Sequence, residues 1–86
     1  MTETTIKIQV LLFGACREAA GTSELSCEIA APATVADAWA ELARLQPALA
    51  GYAQHALFAV NEEHARATQP LRQGDTLAVF PPVSGG

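Results

Sequence analysis

The residues best suited to chemistry are Pro81-Pro82-Val83-Ser84-Gly85-Gly86, where an apolar, strand-like run gives way to a Gly-Gly end. Glycine has no side chain and reaches backbone angles closed to other residues, so such an end can thread a narrow channel and present its carboxylate to another protein's active site. On this reading Gly86 carries the reactive group, and Gly85, Ser84 and Val83 pass through the channel. Pro81 and Pro82 contribute the opposite property. They fix φ and withhold two N–H donors, so strand pairing should stop there and the tail should leave the domain stiffly before it loosens. The expected organisation is one domain over residues 1–80 and a flexible tail over 81–86.

Other chemistries have weaker support. Cys16 and Cys27 make no disulfide framework and are expected to be small semi-buried residues. With His55 and His64 they form no cluster of recognisable zinc spacing, so no metal site is expected. The sequence shows no ATP-binding loop and no constellation of general bases, which assigns any catalysis to a partner. Net charge is −4, and the five Lys and Arg residues are scattered, which disfavours nucleic acid and favours a basic protein surface. No segment has the length of a transmembrane helix, and Met1-Thr2-Glu3-Thr4-Thr5 lacks the basic and apolar regions of a signal peptide. A cytoplasmic protein without a membrane partner is the expectation.

The elements that must position the tail follow from periodicity. Ile6, Ile8, Val10 and Leu12 alternate with Lys7, Gln9, Leu11 and Phe13, a strand with one committed core face whose other face turns apolar at the far end. Phe13 is therefore either core or partner surface. Gly14 and Gly21 bracket a short connection, and Leu25, Cys27 and Ile29 alternate again, which suggests a hairpin. After Pro32, Thr34 and Asp37 have the spacing of a capping box, and Val35, Ala38, Trp39, Leu42 and Leu45 fall on one helical face. Trp39 is read as a core anchor, and Pro47 stops the helix. Residues 47–52 connect, with room for a helical turn, to a strand over Ala56–Val60. A turn at Asn61-Glu62-Glu63 leads to a short strand around His64–Ala67. Pro70–Asp75 is turn-rich and delivers Thr76–Phe80, the last strand. One amphipathic helix on one mixed sheet is a two-layer α+β sandwich, and the architecture that fits is the β-grasp. By fold analogy the last strand lies beside the first in mid-sheet, so the tail grows from the most rigid part of the domain.

Several of these segments together resemble the small, sulfur-carrier subunit of molybdopterin synthase, a ubiquitin-like family. They are Val10-Leu11-Leu12-Phe13 with Arg17-Glu18 and Gly21-Thr22, then Thr34-Val35, Ala59-Val60-Asn61, Pro70-Leu71 and Gly74-Asp75. Above all, Phe80-Pro81-Pro82-Val83-Ser84-Gly85-Gly86 is specific to that family. His64 stands where an apolar residue is expected in the partner-facing patch. The resemblance implies that the Gly86 carboxylate is adenylated by an activating enzyme using ATP and converted to a thiocarboxylate by a sulfur donor. It implies a large synthase subunit as partner, two small with two large subunits in a heterotetramer, and sulfur delivery to cyclic pyranopterin monophosphate to make molybdopterin. No cofactor is expected in this chain itself. Phe80, Phe13, Pro81, Pro82 and His64 are the candidate interface. The competing readings are a sulfur carrier for thiamine or tRNA thiolation, and a ubiquitin-like modifier joined to lysines through Gly86.

Overall fold

In the computed structural model, residues 4–52 and 56–81 are described. Their first element is strand β1 (Thr5–Leu12), whose burial alternates as its sequence does: Ile6, Ile8, Val10 and Leu12 are buried. Strand β2 (Glu24–Ala30) returns antiparallel to it, with Ile8 opposite Cys27 and Val10 opposite Leu25. The hairpin is as expected, but its connection is not a simple loop. Gly14–Ala20 forms a helix, α1, closed by Gly21 in the left-handed conformation (φ 76°), whose N–H donates to the Arg17 carbonyl. The signal was present in the helix-forming Ala, Arg and Glu residues and in a glycine placed as a C-cap. Cys16 on α1 is fully buried, so α1 docks over the end of the sheet instead of swinging free.

A short strand, β3 (Ala33–Thr34), leads into helix α2 (Val35–Leu45). Its capping box is formed: the Thr34 N–H donates to Asp37 Oδ2 at 2.9 Å, and the Asp37 N–H donates to Thr34 Oγ1 at 3.3 Å. Val35, Ala38, Trp39 and Leu42 are buried against the sheet. Trp39 meets the Phe58 ring edge-on at 5.7 Å between centroids, which makes it a core anchor. Leu45 corrects the expected stripe: the last residue of α2, it is 45% exposed. Pro47–Tyr52 winds as a 3₁₀ helix and seats Leu49 in the core.

The second half supplies β4 (Leu57–Val60), β5 (Glu63–Ala65), β6 (Pro70–Leu71) and β7 (Thr76–Phe80). β5 begins one residue earlier than expected and is shorter, because the turn before it needs only Asn61 (φ 51°) and Glu62 (φ 72°). β6 pairs with β3 in a separate two-stranded sheet, a contact too short to leave a periodic signal. The main sheet runs β2-β1-β7-β4-β5. β7 lies at its centre, parallel to β1 and antiparallel to β4, with Leu77 and Val79 fully buried under the helices. Two helices cover one face of this mixed sheet, the ubiquitin-like β-grasp arrangement.

Candidate functional site

The central strand fixes where the chain's C-terminal segment leaves the domain. Both edges of β7 are occupied, so its residues are held by neighbours on either side up to Val79, and Phe80 is still paired with Leu57 on β4. Its start is held as firmly. Asn61 Nδ2 donates to Asp75 Oδ1 at 2.9 Å, the Thr76 N–H donates to Asn61 Oδ1 at 2.9 Å, and the Asn61 N–H donates to the Thr76 carbonyl at 2.8 Å. The other Asp75 oxygen accepts from the Arg72 N–H at 2.8 Å, closing the turn before β7. Asn61 and Asp75, two of the residues that carry the sequence resemblance, thus tie the β4–β5 turn to the root of the last strand. Their work is positional.

At the far end, Phe13 and Phe80 stack face to face with centroids 4.7 Å apart and planes 11° from parallel. The Phe13 N–H donates to the Val79 carbonyl at 3.1 Å, which prolongs the β1–β7 pairing by one step and brings the two rings together. Phe13 is 41% exposed, so it belongs to the surface and not to the core. Leu57, opposite Phe80 on β4, is also exposed and was not anticipated from the sequence. Leucine in a strand of apolar residues gives no hint of its face until the register is known.

The next row across the same face runs Leu11, Ala78, Ala59 and His64, one residue from each of β1, β7, β4 and β5. His64 is exposed on the outer strand, so it borders the apolar patch without touching its aromatic centre. The opposite end of this face is polar: Gln9 stands between Thr76 and Ser26, and Lys7 opposes Glu28. The apolar area is therefore confined to the end of the sheet from which residue 81 departs. Apolar surface of this kind, with Phe13 and Leu57 exposed around a half-buried Phe80, is the signature of a protein-docking patch.

Pro81 stands at the edge of that patch. A Cβ built on Gly14 (φ 55°) would lie 2.9 Å from the Pro81 Cγ, so the proline ring rests directly on the glycine backbone at the start of α1. Arg17 and Glu18, on the exposed side of α1, line a shallow depression beside Gly14. Pro82, Val83, Ser84, Gly85 and Gly86 lie outside the described residues. Among the described residues no group of three or more His, Cys, Asp and Glu side chains could hold a metal ion. Cys16 and Cys27 are both deep in the core, more buried than expected, and burial pushes both thiols above their usual range. For Cys27 the Glu41 carboxylate pushes the same way and Arg44 opposes it. Among the described residues no helix is long and apolar enough to cross a membrane.

Comparison with known proteins agrees with this geometry. The model of the ThiS family matches residues 10–86. The molybdopterin synthase sulfur carrier subunit of Chlamydomonas reinhardtii is 36% identical over 94% of this chain and 100% of its own length. The SAMP1 protein of Haloferax volcanii shares the fold with a TM-score of 0.81 at 32% identity, over 93% of this chain and 99% of that one. A chain from the complex of subunits 1 and 2 of molybdopterin-converting factor from Helicobacter pylori shares the fold at a TM-score of 0.66 and 20% identity, over 94% of this chain and 100% of that one.

Proposed function

The chain belongs to the ThiS family, and on that premise we propose that it is the sulfur carrier of a molybdopterin synthase, with the Gly86 carboxylate as its reactive group. The observation that carries the reading is the pairing of a rigidly held central strand with an apolar patch at its exit, directly before the Gly-Gly end. The patch provides docking and the tail provides chemistry.

An α-carboxylate with a reference pKa of about 3.3–3.7 is ionised at neutral pH and resists nucleophiles. In the proposed cycle an activating enzyme lets the Gly86 carboxylate oxygen attack the α-phosphorus of ATP, and pyrophosphate leaves. The resulting acyl adenylate has a good leaving group, AMP: a hydrosulfide supplied by a sulfur donor attacks the carbonyl carbon, the bond to AMP breaks, and the thiocarboxylate forms with loss of a proton. The large synthase subunit then receives the tail and directs its sulfur to cyclic pyranopterin monophosphate. Gly85, Ser84 and Val83 traverse the partner's channel, and Pro81 and Pro82 hold the tail off the sheet. Phe80, Phe13 and Leu57 make the docking contact, with His64 at its border.

Supporting this reading are the relatives named as molybdopterin synthase sulfur carrier subunits, matched over 86% to 100% of their own length. The likeness to SAMP1, a small archaeal modifier protein, favours a second reading, attachment of Gly86 to lysines as a protein modifier. Co-expression with candidate partners separates them. A stable assembly with a large synthase subunit that forms molybdopterin supports the carrier. Assembly with a thiazole synthase instead would reassign the pathway, and covalent ladders on cellular proteins would support the modifier.

A further inference from the structure

Strand β2 is an edge of the main sheet, and among the described residues no strand pairs with its outer side. The direction of its backbone groups follows from the bonds at its two ends. The Leu12 N–H donates to the Ser23 carbonyl and the Ala31 N–H donates to the Thr4 carbonyl, so odd-numbered residues of β2 face β1 and even-numbered ones face outward. Of the outward set, Glu24 is occupied by the Thr22 hydroxyl, which donates to its carbonyl at 2.9 Å and accepts from its N–H at 3.3 Å. Ser26, Glu28 and Ala30 have no backbone partner among the described residues. Beside them, between β2 and α2, runs an open groove of about 560 Å³, lined by Glu28, Ile29, Ala30, Ala40, Glu41 and Arg44, with Pro32 and Asp37 at the helix entry.

We propose that this edge and groove take an extended, basic segment of a partner protein by strand addition, at a surface separate from the Phe13–Phe80 patch. The backbone of such a segment would pair with the free groups of Ser26, Glu28 and Ala30, and about five to six residues would span them. Its side chains would alternate. Those on the open face of the sheet would lie beside Glu24 and Glu28, which calls for lysine or arginine. Those on the other side would enter the groove over Ile29 and Ala40, which calls for small or β-branched apolar residues.

Charge selects this occupant. In the groove Glu41 is matched to Arg44 by two hydrogen bonds of 3.0 and 2.6 Å, and Asp37 closes the helix cap. The carboxylates that select a basic side chain are therefore Glu24 and Glu28, exposed along the edge and without a salt bridge among the described residues. A second copy of the chain is disfavoured by the same residues. Antiparallel pairing of two β2 strands centred on Ser26 would set Glu24 of one copy against Glu28 of the other, centring on Glu28 would set Glu28 against Glu28, and centring on Cys27 would leave each Glu28 diagonal to Glu24 and Glu28 of the other copy.

The test uses the full chain, ¹⁵N-labelled, titrated with a short capped peptide alternating lysine and valine. The proposal expects amide shifts at Ser26, Glu28, Ala30, Ala40 and Glu41, together with slowed hydrogen exchange at the Ser26, Glu28 and Ala30 amides. Methylating alternate peptide nitrogens should abolish binding, and Glu28→Lys, at an exposed position, should weaken it roughly threefold to tenfold. Absence of binding, shifts centred on Phe13 and Phe80, or equal binding of the methylated peptide would each overturn the proposal. Concentration-dependent shifts along β2 without peptide would overturn it in favour of a second copy. None of these outcomes depends on whether Gly86 carries sulfur.

Discussion

Phe13 and Phe80 come from the ends of two parallel neighbouring strands and stack at 4.7 Å, forming the centre of the exposed apolar patch from which residue 81 departs. Aromatic anchors in such positions commonly dominate binding energy. Replacing Phe80 with alanine should weaken binding to the large subunit by about 1–3 kcal/mol, and Phe13→Ala should do so to a similar degree. The changes should not add, because each ring packs on the other. Calorimetry on folded variants measures this. Unchanged affinity for Phe80→Ala would remove the patch from the docking surface.

The Gly14 and Pro81 contact makes a stability prediction with an internal control. Gly14 and Gly21 both have positive φ, so alanine at either should cost about 1–2 kcal/mol in backbone strain. Only at Gly14 does the new Cβ also meet another residue, Pro81, at 2.9 Å, whereas nothing lies within 4 Å at Gly21. Gly14→Ala should therefore lower stability more than Gly21→Ala in urea denaturation. The reverse order would show that the proline does not rest where the structure puts it.

How much of this was legible in the sequence depended on the length of each signal. The period-two run of β1, the capping box of α2 and the final strand were long enough or distinctive enough to read, and the structure agrees with them. The α1 helix was hidden by its brevity, since six residues between glycines look like a loop unless Gly21 is recognised as a cap. Phe13 stayed ambiguous because its neighbours on the same face, Lys7 and Gln9, are polar while Leu11 is not. Only the pairing with β7 shows that Phe13 has a ring to stack on. Leu57 could not be assigned without the register that sets it opposite Phe80. The Asn61 and Asp75 network was visible as family-like residues, but its purpose required seeing that the turn and the last strand share hydrogen bonds.

The buried thiols set a pH dependence. Burial raises both above the ordinary value of 9.0, while unfolding returns them to it. Below that value both states hold the thiol protons and the thiols contribute no slope. Above it the unfolded chain loses protons first, so stability should fall as pH rises. Replacing Cys16 and Cys27 with alanine should flatten that decline while lowering stability at neutral pH. In the native protein both thiols should react slowly with a thiol reagent at pH 8 and rapidly in denaturant. Fast native labelling would contradict their placement in the core.

The net charge of −4 makes a kinetic prediction for the partner. If the tail enters a basic pocket, association should slow as salt rises while dissociation, governed by the apolar patch, changes little. Stopped-flow mixing across an ionic-strength series reads both rates. A flat association rate would mean that the acidity of this chain serves solubility alone.

The central claim, that Gly86 is the group that carries sulfur, is tested most directly by intact mass spectrometry after incubation with an activating enzyme, ATP and a sulfur source. The account predicts a mass increase equal to exchanging one oxygen for sulfur, located on the C-terminal fragment, and lost when Gly86 is deleted or a residue is appended after it. An unchanged mass under conditions in which a known carrier is converted, or sulfur on any other residue, would contradict it.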